Sequence, residues 1–221
     1  MPTPNPALQA TLRITEIFYS LQGESSRVGW PTVFIRLTGC PLRCGYCDTS
    51  YAFSGGENMR IAEILERSAS FKPIYVCVTG GEPLAQKNCL PLLTALCDAG
   101  YSVSLETSGA LPIAAVDPRV SRILDIKTPG SGEVEKNHWE NLSALNSSDE
   151  VKFVLCDAAD YQWAKSVIRE HGLAQTCPVL FSPVHGKLDA TQLAEWVLHD
   201  RLPVRLQVQL HKYLWADARG K

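Results

Sequence analysis

Short apolar runs rich in β-branched residues recur along the chain, separated by segments whose apolar residues fall at helical spacing. Residues 32–38, 74–79, 101–106, 122–127, 150–155, 178–181 and 204–210 read as strands, and 12–18 is a further strand candidate leading into a polar loop, 20–26. Helices are expected at 59–71, 88–99 and 157–171, with a weaker candidate at 134–145. Gly100 and Gly172 close two of them, and Asp189 with Gln192 three residues on reads as the N-cap of a last helix carrying Leu193, Trp196 and Val197 inward. Strands alternating with helices predict an α/β fold. Its mostly parallel sheet, of about six or seven strands, would curve into an incomplete, modified (β/α) barrel. At 221 residues one domain spanning 1–221 is expected, with 1–11 as a loose arm and 215–221 as a polar tail.

In such sheets chemistry gathers where the carboxyl ends of the strands converge. The polar clusters of this chain fall there: a cysteine loop at 39–49, Gly80 to Glu82, Glu106 to Ser108, Lys127, Ser182 to His185, and His211. That coincidence points to an enzyme.

With 45% hydrophobic residues, 20% charged and a net charge of −2, nothing favours nucleic acid or an anionic membrane as a partner. No apolar run is long enough to span a bilayer, and the first residues lack the pattern of a signal peptide, so a cytoplasmic protein is expected. Thiols in a reducing compartment bind metal or stay buried. Cys77, Cys89, Cys97, Cys156 and Cys177 are scattered singly and read as small core hydrophobes.

Cys40, Cys44 and Cys47 are different, because Pro41, Gly39 and Gly45 exclude the helix on which such a spacing would make one face. Thiolates suit soft iron sites. A four-iron cluster normally takes four, so a set of three leaves one iron open to a reacting ligand. A structural zinc site is the alternative, and would need a fourth ligand such as His138 or His185.

The motif Cys40-x-x-x-Cys44-x-x-Cys47, with Tyr46 before its third cysteine, resembles that of the radical S-adenosylmethionine enzymes, and Gly80-Gly81-Glu82-Pro83 resembles their GGEP segment. The resemblance implies a 4Fe-4S cluster on the three thiolates and S-adenosylmethionine on the open iron, cleaved by one electron to a 5'-deoxyadenosyl radical. Residues 18–24, 34–41, 47–49, 78–83, 106–109 and 209–212 are similar to the 7-carboxy-7-deazaguanine synthases of the queuosine pathway, a likeness covering nearly the whole chain. It implies a pterin substrate, 6-carboxy-5,6,7,8-tetrahydropterin, contacted by Leu21, Gln22, Gly23, Glu24, Arg36, Thr79 and His211. It implies Mg2+ on Thr49, and S-adenosylmethionine contacts from Tyr46, Gly81, Glu82, Ser108 and Lys127. Asp125-Ile126-Lys127 stands where the family has Ser-Pro-Lys, so only the lysine is retained there.

The family also implies a homodimer and an electron donor such as flavodoxin or ferredoxin. No role is expected for the tail, and His138, His171 and His199 read as solvated. Two rivals stand beside the synthase: a glycyl-radical-enzyme activase, which has no use for a pterin pocket, and a non-catalytic metal-binding module.

Overall fold

The computed structural model describes residues 6–216 and 218–221. Nine strands form one sheet: β1 (Thr11–Leu21), β2 (Pro31–Leu37), β3 (Glu57–Arg60), β4 (Tyr75–Gly80), β5 (Ser102–Thr107), β6 (Ser121–Ile126), β7 (Glu150–Leu155), β8 (Val179–Pro183) and β9 (Arg205–Leu206). Their order is β3-β1-β2-β4-β5-β6-β7-β8-β9, so the sheet is open. From β2 to β9 every neighbouring pair is parallel, whereas β1 runs antiparallel to both β2 and β3.

Alternation along each strand divides the sheet into two chemistries. On β2, Val33, Ile35 and Leu37 enter the apolar core, while Phe34 and Arg36 face a cavity. Helices α1 (Ile61–Ala69), α2 (Cys89–Asp98), α3 (Ala158–Glu170), α4 (Leu173–Thr176) and α5 (Ala190–Asp200) complete the crossovers, and α6 (Leu210–Trp215) follows the last strand. The caps form as the sequence suggests. The Asp157 carboxylate accepts from the Ala159 and Asp160 amides, that of Asp189 accepts from Gln192, and Gly172 turns the chain at a φ of 61°.

Three expectations change. The sheet has nine strands rather than six or seven: β3 is a four-residue, largely exposed edge with too little apolar material to register as a strand, and the strand expected at 204–210 shrinks to the two residues of β9, with Leu210 already starting α6. Part of the loose arm is ordered: Pro6–Gln9 forms a 3-10 turn and Thr11 already belongs to β1, while residues 1–5 lie outside the described residues. The helix candidate at 134–145 becomes two short 3-10 turns, Val134–Lys136 and Trp139–Ala144. Two asparagines explain this last change. Asn137 takes the Lys127 amide at 2.9 Å and donates to the Lys127 and Val134 carbonyls, and Asn141 bonds Ile113, Gly109 and Leu111. Side chains that bind backbone elsewhere compete with a helical ladder.

The β6–β7 connection is also pinned by charge. Arg122 meets Asp149 through Nε at 2.9 Å and a terminal nitrogen at 2.5 Å, with the aspartate side chain fully buried. The same carboxylate accepts from the Arg122 and Asn146 amides. Removing one partner of such a pair strands the other charge. Asp149→Asn should therefore lower the unfolding free energy by about 3 kcal/mol and the melting temperature by on the order of 10 °C, read by thermal and urea melts.

Candidate active site

The carboxyl ends of the strands surround a cavity of about 640 Å3. Adjacent strands place its walls by register: Arg36 on β2 pairs with Glu16 on β1 and with Thr79 on β4, and Asp125 on β6 pairs with Lys152 on β7. The two outer sides of the open sheet meet above it without strand pairing. Leu210 N donates to the Gly23 carbonyl at 3.1 Å, and Gln209 Nε2 donates to Glu24 Oε1 at 2.8 Å. Gly23 must be glycine at this seam, since a Cβ there would strike the His211 ring.

The cysteine loop is irregular, as Pro41 and its two glycines require. It is clamped from both sides: Glu82 N donates to the Gly39 carbonyl at 2.8 Å, Gly45 N to the Ser131 carbonyl at 3.0 Å, and Arg43 N to Glu133 Oε1 at 2.5 Å. Gly81 lets the loop lie against β4, because a Cβ on it would collide with the Gly39 carbonyl and the Cys40 side chain. Cys40, Cys44 and Cys47 are free thiols, half-buried, and all three line the cavity. Burial raises the Cys44 thiol, while the Lys127 ammonium acts the other way and favours the thiolate.

On the opposite wall Arg36 Nε meets Glu16 Oε1 at 2.7 Å, and Tyr51 donates to the same oxygen at 2.7 Å. Glu106 accepts from Thr79 Oγ1 at 2.8 Å and from Gln22 Nε2 at 3.3 Å. Along the floor runs a chain of buried charges. Lys152 Nζ lies 2.6 Å from Glu24 Oε2 and 3.5 Å from Asp125 Oδ2, and Lys127 Nζ lies 2.9 Å from the same Asp125 oxygen. Burial pulls both ammonium pKa values down, but Asp125 lifts Lys127 and Glu24 with Asp125 lifts Lys152 above the ordinary lysine value. Both therefore stay charged. Two buried polar atoms of the wall, the Tyr46 hydroxyl and Asp125 Oδ1, have no partner among the described residues, as expected where a ligand completes the bonding.

Every site residue expected from the sequence borders the cavity except Glu82. Its carboxylate is fully buried and accepts from Leu84 N, Thr107 Oγ1, Ser108 N and Ser108 Oγ, so it braces two strand ends from behind the wall. Sequence reasoning placed Glu106 in a polar cluster at a strand end but gave it no role, and missed Asp125 and Lys152 as wall residues; Asp125 sits near the carboxyl end of β6, which was the available signal, whereas Lys152 lies mid-strand on β7. It also left the tail without a role. Ala216 and residues 218–221 line the cavity mouth, and the Arg219 guanidinium lies 4.3 Å over the Tyr51 ring. Of the histidines, His185 and His211 line the cavity; His138 pairs with Glu140, and His171 stacks on Trp139.

Residues 34–126 match the family described as the Radical SAM superfamily. A 7-carboxy-7-deazaguanine synthase of Chlorobaculum tepidum is 54% identical over 216 residues, covering 96% of this chain and 98% of that protein. The chain belongs to the 7-carboxy-7-deazaguanine synthase family. The synthase of Koribacter versatilis is 45% identical over 219 residues, covering 92% of this chain and 97% of its own. The crystal structure of QueE from Escherichia coli shares the fold, with a TM-score of 0.77 at 24% identity over 95% of this chain and 99% of that one.

For a member of this synthase family the donor set is apt. Three thiols open onto one cavity, and among the described residues no three His, Cys, Asp or Glu side chains converge on a single metal ion. A 4Fe-4S cluster takes thiolates at separate corners, and Lys127 adds positive charge beside them. Gly81→Ala should keep the sheet but displace the cysteine loop. After anaerobic reconstitution it should hold markedly less iron than the parent, measured by iron assay and visible absorbance, while its far-UV circular dichroism is unchanged.

Proposed function

We propose that this chain is the radical S-adenosylmethionine lyase that converts 6-carboxy-5,6,7,8-tetrahydropterin to 7-carboxy-7-deazaguanine with loss of ammonia. The observation that carries it is the meeting, in one cavity, of the three-cysteine loop with a wall of pterin-compatible groups. When bound, the cluster and S-adenosylmethionine supply the one-electron chemistry. The chain's own residues bind, orient and exclude water. Cys40, Cys44 and Cys47 hold the cluster. Tyr46, Gly81, Ser108 and Lys127 border the S-adenosylmethionine position, and Glu82 acts on it by fixing Ser108.

Leu21, Gln22, Gly23, Glu24, Arg36, Thr79 and His211 receive the pterin. Arg36 suits the substrate carboxylate, since a guanidinium presents two parallel donors to it. The acceptors Glu24 and Glu106 suit the N–H groups of the bicyclic ring. Thr49 is the Mg2+ ligand in this reading; its hydroxyl donates to Asp48 Oδ1 at 2.7 Å, which makes the hard oxygen environment the ion prefers. The whole chain acts as one domain, in the cytoplasm, as a homodimer supplied with electrons by a flavodoxin or ferredoxin. No described helix is long and apolar enough to cross a membrane. An activase for a glycyl-radical enzyme would need a docking surface rather than a walled cavity, and family membership speaks for the synthase.

The reading is tested by anaerobic reconstitution, then incubation with carboxytetrahydropterin, S-adenosylmethionine, Mg2+ and reductant, with products identified by mass. Cys44→Ala should lose both cluster absorbance and all turnover; full activity in that variant would end the assignment. Thr49→Ala should keep the cluster and respond less to added Mg2+, measured as activity against Mg2+ concentration.

A further inference from the structure

One buried cation of the cavity has no assignment. Lys152 stands on β7 beside Asp125, its side chain 11% exposed, with its ammonium 2.6 Å from Glu24 Oε2. Glu24 follows β1 in a loop with no strand neighbour to fix it, so its direction is set by its tethers. One is the charged contact to Lys152. The other is the neutral Gln209 amide on Oε1, which is shared with Asp48 Oδ2 at 3.3 Å. The tethers are unequal. A buried charge-assisted bond is roughly twice as strong as a neutral one, and the amide comes from the seam segment ahead of α6 rather than from the sheet.

We propose that Lys152 is a positioning residue for the substrate: it holds Glu24 aimed into the cavity as an acceptor for the N–H edge of a 2-amino-4-oxopyrimidine ring, with the Gln209 amide standing on the oxygen that the ring takes. This rests on the pterin reading above. Replacing the neutral amide on Oε1 by a ligand N–H trades one ordinary hydrogen bond for another, which costs little. Losing the ammonium on Oε2 would leave a carboxylate, 13% exposed, without its cation. The groups around it do not substitute for Lys152. Asp125 on β6 and Glu106 on β5 are both acidic and act on the lysine, and Asp48 reaches Glu24 only through Gln209. Lys152 also touches Asp125, and through it Lys127, so the acceptor for the substrate is braced against the wall assigned to S-adenosylmethionine.

The test uses the reconstituted protein and the variants Lys152→Met, Lys152→Arg, Glu24→Gln and the double Lys152→Met/Glu24→Gln. Iron content and cluster absorbance should match the parent in all four. Lys152→Met should raise KM for carboxytetrahydropterin about tenfold or more, with a smaller change in kcat. Lys152→Arg should recover most of that loss. The double variant should be no worse than the worse single, because both changes act on one carboxylate. A KM in Lys152→Met within about twofold of the parent, or single losses that multiply in the double, would overturn the role, since independent defects add in free energy. If Lys152→Met does not fold, the other variants decide. The double removes both charges and should fold with the KM of Glu24→Gln, and Lys152→Arg should stay near the parent; a double that is worse than Glu24→Gln, or an arginine variant as impaired as it, overturns the proposal. A parent that makes no product from the pterin refutes the functional reading itself, whereas an active parent with an indifferent lysine refutes only the positioning role.

Discussion

The cavity depends on one backbone contact, where the end of β4 lies flat against the start of the cysteine loop. Gly81 N donates to the Leu37 carbonyl and Glu82 N to the Gly39 carbonyl, and the loop leaves no room for a side chain on Gly81. The loop therefore cannot drift away from the sheet, and its thiols keep their position relative to the strand ends around them. Behind the contact, Glu82 gathers four donors from Leu84, Thr107 and Ser108. Its carboxylate binds together the ends of β4 and β5, which is where the wall changes from thiols to Glu106 and Ser108.

The second organising feature is the density of charge inside. Glu24, Lys152, Asp125 and Lys127 form one line of alternating sign along the floor, and Arg36 with Glu16 forms another on the wall. A buried ion pair adds little net stability over a hydrophobic pair of the same shape. These pairs are better understood as fixed dipoles, held charged by one another, that line a polar pocket.

The alternation of apolar runs with helical segments was sufficient for the fold class, and the thiol loop with its glycines for the end of the sheet at which the cavity lies, because both are local patterns. The nine-strand count was not legible, since β3 pairs by backbone alone and its side chains are mostly exposed. Nor was the loss of the helix at 134–145, which depends on where Asn137 and Asn141 send their amides across some ten to thirty residues of sequence. Lys152 and Asp125 could be seen as strand residues, but one-letter alternation does not reveal that they stand side by side and point to the same cavity. Glu82 shows the opposite difficulty. A motif announces that a residue matters, while only packing reveals that it works from behind the wall.

The seam where Gly23 meets Leu210 and Glu24 meets Gln209 has a consequence for how such a barrel can diversify. Elsewhere the ring is held by strand ladders and a continuous core, which tolerate little change. At the seam it is held by one backbone bond and a pair of side chains, so apart from Gly23, which the His211 ring crowds, the loops there can change with little effect on the sheet. Gly23, Glu24 and Gln209 also line the cavity. Selection for a different ring system would thus act on the least constrained part of the scaffold, leaving the radical-generating half untouched.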